Sequence, residues 1–161
     1  HDDWLAFLDH FGIVNERVVL LDGLSVAENL AVPHTLELDP MPADLRCAVE
    51  RMASEVGLVL PAVDERLSAS SAVTRFRVRL GRALAHDPVI LLVEHPSLGL
   101  AAEDVTAVAD VLSRVGRVRH VATIVINSDR QLSNAIATRQ LTWRPATGEL
   151  VEARGWRRWF M

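Results

Sequence analysis

No lysine occurs in this chain; all 17 of its basic side chains are arginines. No ammonium group is therefore available to act as a compact point charge beside a phosphate. Cysteine is reduced to Cys47 alone, which excludes an internal disulfide framework and fits a reducing compartment. Cys47 falls inside an expected helix, where an unpaired thiol is expected to serve as buried, inert filler. Long apolar runs are missing too. Val18–Leu21 and Val89–Val93 are far too short to cross a bilayer. The first residues are acidic where a signal peptide would be basic. No excess of positive charge exists either: the net charge is −4 and the pI about 5.8, against the basic face a general nucleic-acid binder needs. The His residues, including His10, His34 and His120, show no metal-ligand spacing. The chain opens on His1 and not Met, which fits a fragment or a processed product.

What is present is enough apolar content, 50% over 161 residues, to bury the core of one domain. Residues 2–10 read as a short amphipathic helix, and Ile13-Val14 as the start of a strand or extended segment. Ser25 with Glu28 three residues on forms a capping box for a short helix that must stop near Pro33. Pro42 suits a first helical turn. Leu45, Val49, Met52 and Val56 then share one helical face, and Gly57 suits the C-terminal cap. Residues 58–69 read as loop. A further helix starts near Ser70 or Ser71, with Val73, Phe76, Leu80, Ala83 and Leu84 as its apolar stripe. Asp87-Pro88 ends it.

Beyond that break the periodicity changes. Val89–Val93 and Val121–Ile126 are short, continuous apolar runs, which predicts strands buried on both faces. A helix over 102–115 lies between them. A helix at about 129–137, a strand at about 139–143, a turn at Thr147-Gly148 and a last strand follow. Alternating strands and helices of this kind build a parallel sheet in an α/β fold. About 26–86 is therefore expected to be helical, and about 87–161 to be the α/β half of the same domain. The tail Trp156-Arg157-Arg158-Trp159-Phe160 is expected to pack against the domain or a partner.

The run Leu84-Ala85-His86-Asp87-Pro88-Val89-Ile90-Leu91-Leu92-Val93-Glu94-His95-Pro96-Ser97-Leu98-Gly99-Leu100 carries the chemistry. A buried strand delivers acidic side chains to its C-terminal edge, where open α/β sheets bind ligands. This run resembles the segment of ABC transporter ATPases that reads four hydrophobics, Asp-Glu-Pro-Thr, two variable residues and Leu-Asp. Its neighbours resemble that family in the same order. Ser70-Ser71-Ala72-Val73-Thr74 occupies the place of the Leu-Ser-Gly-Gly-Gln signature, with Ser71 alone matching it; an alternative register puts Leu67-Ser68 there but needs a three-residue insertion. Leu20–Leu30 looks like the segment after the Q-loop, with Glu16 in place of its glutamine. Ala122–Asp129 looks like the strand that ends in the switch histidine, with Ser128 in that position.

The resemblance implies a P-loop NTPase-type fold that uses ATP and Mg²⁺. It also implies a second ATPase subunit, a transmembrane permease, and a cytoplasmic location at the inner face of the cell membrane. Carried over by position, Glu94 would serve the metal and His95 would stand where the catalytic glutamate polarises water. Imidazole can act as a base near neutrality. Glu16, Ser71 and Ser128 would face nucleotide. The chain departs from the pattern in two ways. A Gly-x-x-x-x-Gly-Lys-Ser/Thr loop is absent, and only 15 residues precede Glu16. Glu16, the signature, Glu94-His95, Ala101 and Ser128 all depart from the residues the family uses. The competing reading is a degenerate cassette that binds a partner without turnover.

Overall fold

A computed structural model describes residues 4 and 7–152. Three parallel strands form the sheet: β1 (Phe11–Val14), β2 (Ile90–Glu94) and β3 (Ala122–Ile126), in the order β1-β2-β3. Gly12 and Val14 of β1 register with Leu91 and Val93. Leu92 and Glu94 of β2 register with Ile124 and Ile126. β1 is remote from β2 in sequence because a wholly helical stretch intervenes: α1 (Val26–Ala31), α2 (Ala43–Glu55), two single 3₁₀ turns at Leu60–Asp64 and Leu67–Ala69, and α3 (Ala72–Leu84). The segment 58–69, expected as loop, thus holds both 3₁₀ turns. After β2 come α4 (Ala102–Arg119), β3 and α5 (Arg130–Ile136). A separate antiparallel hairpin, β4 (Leu141–Arg144) with β5 (Glu149–Glu152), pairs with itself and not with the sheet.

Local chemistry sets the element ends. Ser25 and Glu28 close the capping box of α1: the Glu28 N–H donates to Ser25 Oγ at 3.1 Å, and the Ser25 N–H to Glu28 Oε2 at 2.6 Å. At the end of α2, Gly57 adopts φ +80°, which glycine tolerates without a Cβ clash. Its N–H donates to Ser54 O and that of Leu58 to Ala53 O, the paired bonds of a Schellman termination. Ser71 caps α3 by accepting the Thr74 N–H at 3.2 Å. Ala101 offers no side-chain cap to α4, but Glu103 and Asp104 complement the dipole at its start, as Arg117 and Arg119 do at its end. That helix runs to Arg119, four residues beyond the expected Val115.

Helices α1, α2, α3 and α4 share one core with the sheet, through Leu30, Val49, Phe76, Leu80, Leu84, Leu91, Val93, Val108 and Leu112. Gly12 lets β1 sit directly on α3, since a Cβ there would lie 2.5 Å from the Ala83 carbonyl oxygen. Two expectations are corrected. Strands β2 and β3 are not buried on both faces. Leu91 and Val93 are buried, whereas Ile13, Ile124 and Ile126 on the opposite face are 51%, 53% and 59% exposed. The helices of the described residues cover one face, so the apolar character of the other does not bury it. Cys47 is exposed and not buried filler, because it lies off the Leu45–Val49–Met52–Val56 face of α2. Much of the helix expected over 2–10, and the Trp156–Phe160 tail, lie outside the described residues.

Candidate functional site

β1 and β2 run parallel and end side by side, so the residues after them meet at one edge of the sheet. A cavity of about 120 Å³ opens there. Its lining takes Glu16 from the segment after β1, and Glu94 and His95 from the end of β2. The first turns of α3 add Ala72, Arg75, Phe76 and Arg79. Glu94 is half-buried and His95 exposed. His95 adopts φ +47°, a left-handed conformation uncommon for a residue with a Cβ. Its backbone is held on both sides: the N–H donates to Ile126 O at 2.7 Å, and the carbonyl accepts the Leu98 N–H at 3.0 Å. The strand end is thereby tied to β3, and the chain turns sharply just after Glu94.

Three of the five residues singled out in the sequence, Glu16, Glu94 and His95, come together in this cavity. Ser71 and Ser128 are not in its lining. Ser71 is spent on capping α3, and its hydroxyl also meets Thr74 Oγ1 at 3.1 Å. Ser128 is exposed, two residues past β3. Its neighbour Asp129 caps α5 by accepting the Gln131 and Leu132 N–H groups at 2.8 and 3.1 Å. The Leu132 N–H foremost, then the Ser97 hydroxyl and the Gln131 N–H, hold the Asp129 carboxyl below its ordinary value.

Sequence reading did not include Arg75 and Arg79 in the site. Their signal was present: Arg75, Arg79 and Arg82 stand at i, i+4 and i+7, a second face of the helix whose apolar stripe was recognised. Burial pushes the Arg79 guanidinium down, while Glu16 opposes that shift and Arg75 adds to it. Two carboxylates, two guanidiniums and an imidazole thus line one small cavity.

Among the described residues, those around this cavity do not by themselves form a nucleotide site. The cavity is well below the roughly 300–1,000 Å³ of pockets that enclose drug-sized ligands, and no phosphate loop or lysine adjoins it. For a Mg²⁺ ion, Glu94 offers a hard oxygen donor at the sheet edge. Among the described residues, no group of three or more His, Cys, Asp or Glu side chains could hold a metal ion alone.

A three-stranded parallel sheet packed on helices, with a helical stretch between β1 and β2 and acidic residues at the sheet's C-terminal edge, is part of a P-loop NTPase-type fold. It is the fold of the ABC ATPase cassettes. Two solved structures of the ATP-binding cassette MJ0796 match it, one a dimer in a post-hydrolysis state bound to ADP and Pi, the other described as a dimeric bacterial ABC transporter cassette. For each the TM-score is 0.64 and the identity 21%, over 84% of this chain and 60% of the cassette. Among curated proteins, the ABC transporter ATP-binding protein YtrE of Bacillus subtilis (strain 168) is 29% identical over 133 residues. That alignment covers 82% of this chain and 57% of YtrE, so the chain spans little more than half of that relative. No model of a known protein family matches the chain. The resemblance read from the motifs is thus supported independently by sequence and by fold.

Proposed function

We propose that this chain is the C-terminal part of the nucleotide-binding subunit of an ABC transporter, working with a second ATPase subunit and a membrane permease at the cytoplasmic face of the membrane. The observation that carries this reading is the convergence of Glu16, Glu94 and His95 at the ends of two adjacent parallel strands. In this reading Glu94 supplies the oxygen donor for Mg²⁺ when nucleotide is held by a phosphate loop outside this sequence. His95, exposed and turned by its left-handed backbone, stands beside it as the group that limits turnover. Ser71 and Ser128 would meet nucleotide only in the assembled cassette. No described helix is long and apolar enough to cross a membrane.

The test uses the full-length protein that carries a phosphate loop, assayed with its partner for phosphate release. Glu94→Gln is expected to weaken Mg²⁺-dependent ATP binding. His95→Glu, which restores a carboxylate, is expected to raise the rate. If His95→Ala hydrolyses ATP as fast as the parent, His95 has no catalytic role. The degenerate cassette, a partner-binding module without efficient turnover, is then the better reading. That second reading is favoured by one observation: several positions the family uses for hydrolysis are occupied by other residue types at once.

A further inference from the structure

Three arginines of α3 turn toward the same short segment, Asn15 to Asp22. Arg75 Nη1 meets Asp22 Oδ1 at 2.7 Å. Arg82 Nη1 donates to the Val19 carbonyl at 2.9 Å. Arg79 lines the cavity with Glu16 and carries the opposite charge. Arg77, on another side of the helix, reaches away to the Gly57 carbonyl at 2.9 Å. The segment has little else to hold its first half. Asn15 Oδ1 accepts the Arg17 and Val18 N–H groups at 3.0 and 3.1 Å, a local turn. Among the described residues, the hydrogen bond that reaches Arg17–Val19 from outside the segment comes from Arg82. The second half is anchored separately. Asn29, fully buried, accepts the Leu21 N–H and donates to the Leu21 carbonyl, both at 2.9 Å.

We propose that Arg75, Arg79 and Arg82 form a clamp that fastens the Asn15–Asp22 segment to α3, so that Glu16 holds its place in the cavity only while α3 holds its own. Arg79 is then a positioning residue for Glu16, and Arg82 the main tether of the backbone beside it. The residue type matters. A guanidinium stays charged at every accessible pH and directs several donors from a rigid plane, so one side chain can serve a carboxylate and a carbonyl together. Arg75 does this, meeting Asp22 and also the Leu67 carbonyl at 3.2 Å. Desolvation of Arg79 and Arg82 opposes the arrangement; the Arg82 bond to the Val19 carbonyl offsets it there, whereas Arg79 Nε is buried without a hydrogen-bond partner among the described residues and only the charge of Glu16 acts in its favour. The clamp is independent of the proposed activity: it would hold equally in a cassette that never turns over.

Amide hydrogen exchange read by mass spectrometry on the 161-residue chain tests it. Arg82→Met and Asp22→Asn are each expected to raise exchange in peptides covering 15–22 by about tenfold or more, with β2 and α4 unchanged. Arg77→Met is the control and should loosen only the region around Gly57. Arg79→Glu should also raise exchange in the segment, and adding Glu16→Arg should restore part of the protection. Should Arg82→Met fail to fold, Asp22→Asn decides alone, since the Asp22 side chain is 60% exposed and its loss cannot empty the core. Unchanged exchange of 15–22 in Asp22→Asn and Arg82→Met, or an equal rise in Arg77→Met, overturns the clamp.

Discussion

Single side chains in this protein serve mostly to hold backbone. Asn29 makes three hydrogen bonds to main-chain atoms of Leu21 and Ser25, and nothing about its neighbours in sequence announces it. Arg119 grips Glu55 through both carboxylate oxygens at 2.5 and 2.7 Å, Asp87 at 2.5 Å and the Leu84 carbonyl at 3.1 Å. The end of α4 is thereby tied to the end of α2 and to the turn before β2. Asp64 and Asp129 allow a prediction on pH. Arg46 holds the Asp64 carboxyl below its ordinary value, and the N–H groups at the start of α5 do the same for Asp129. A carboxyl with a lowered pKa in the folded state adds stability that is fully present above the unfolded value and is lost as pH falls through the folded one. The melting temperature is therefore expected to fall as pH drops below about 4. Asp129→Asn and Asp64→Asn should each lower it at pH 7 and flatten that acid limb. Thermal melts at intervals from pH 2.5 to 7 measure this, and parallel curves for variants and parent would show that neither carboxylate contributes.

The strand and helix positions were legible because short-range chemistry determines them. Ser25-x-x-Glu28 caps, Gly57 terminates, Ser71 starts a helix and Asp87-Pro88 stops it, each through groups within a few residues. Burial was legible only by halves. An unbroken apolar run such as Ile90–Val93 identifies a strand but not how many of its faces are covered. Here alternate residues differ, and substitutions should report it. Leu91→Ala removes a fully buried side chain and is expected to cost roughly 2–5 kcal/mol as a cavity. Leu92 is only half-buried on the less covered face, so Leu92→Ala should cost clearly less. Urea midpoints compared at equal m-value give both numbers. Equal losses for the two would mean that both faces of β2 are covered in solution.

At the scale of the molecule, the open sheet face and the small cavity have the same consequence: the described residues hold the later strands of a cassette fold but not a complete nucleotide site. The isolated 161-residue chain is expected to bind ATP weakly or not at all. Titration with a fluorescent ATP analogue, with and without Mg²⁺, measures it. Micromolar, Mg²⁺-dependent binding by this chain alone would contradict both the cavity geometry and the need for a phosphate loop. By itself, the sequence determined the α/β class, the helical stretch between the first two strands, most element ends and the candidacy of Glu16, Glu94 and His95. Capping, breaking and apolar periodicity act between near neighbours, and the motif order is written along the chain. Tertiary structure alone decided that those three residues meet, that Ser71 and Ser128 stand outside their cavity, and that Arg75 and Arg79 stand inside it. Glu16 and Glu94 are 78 residues apart, and only the parallel pairing of β1 with β2 sets their side chains at one edge. Which face of a strand is covered, and which arginine of α3 meets which backbone, depends on packing between distant segments, and no local pattern carries that information.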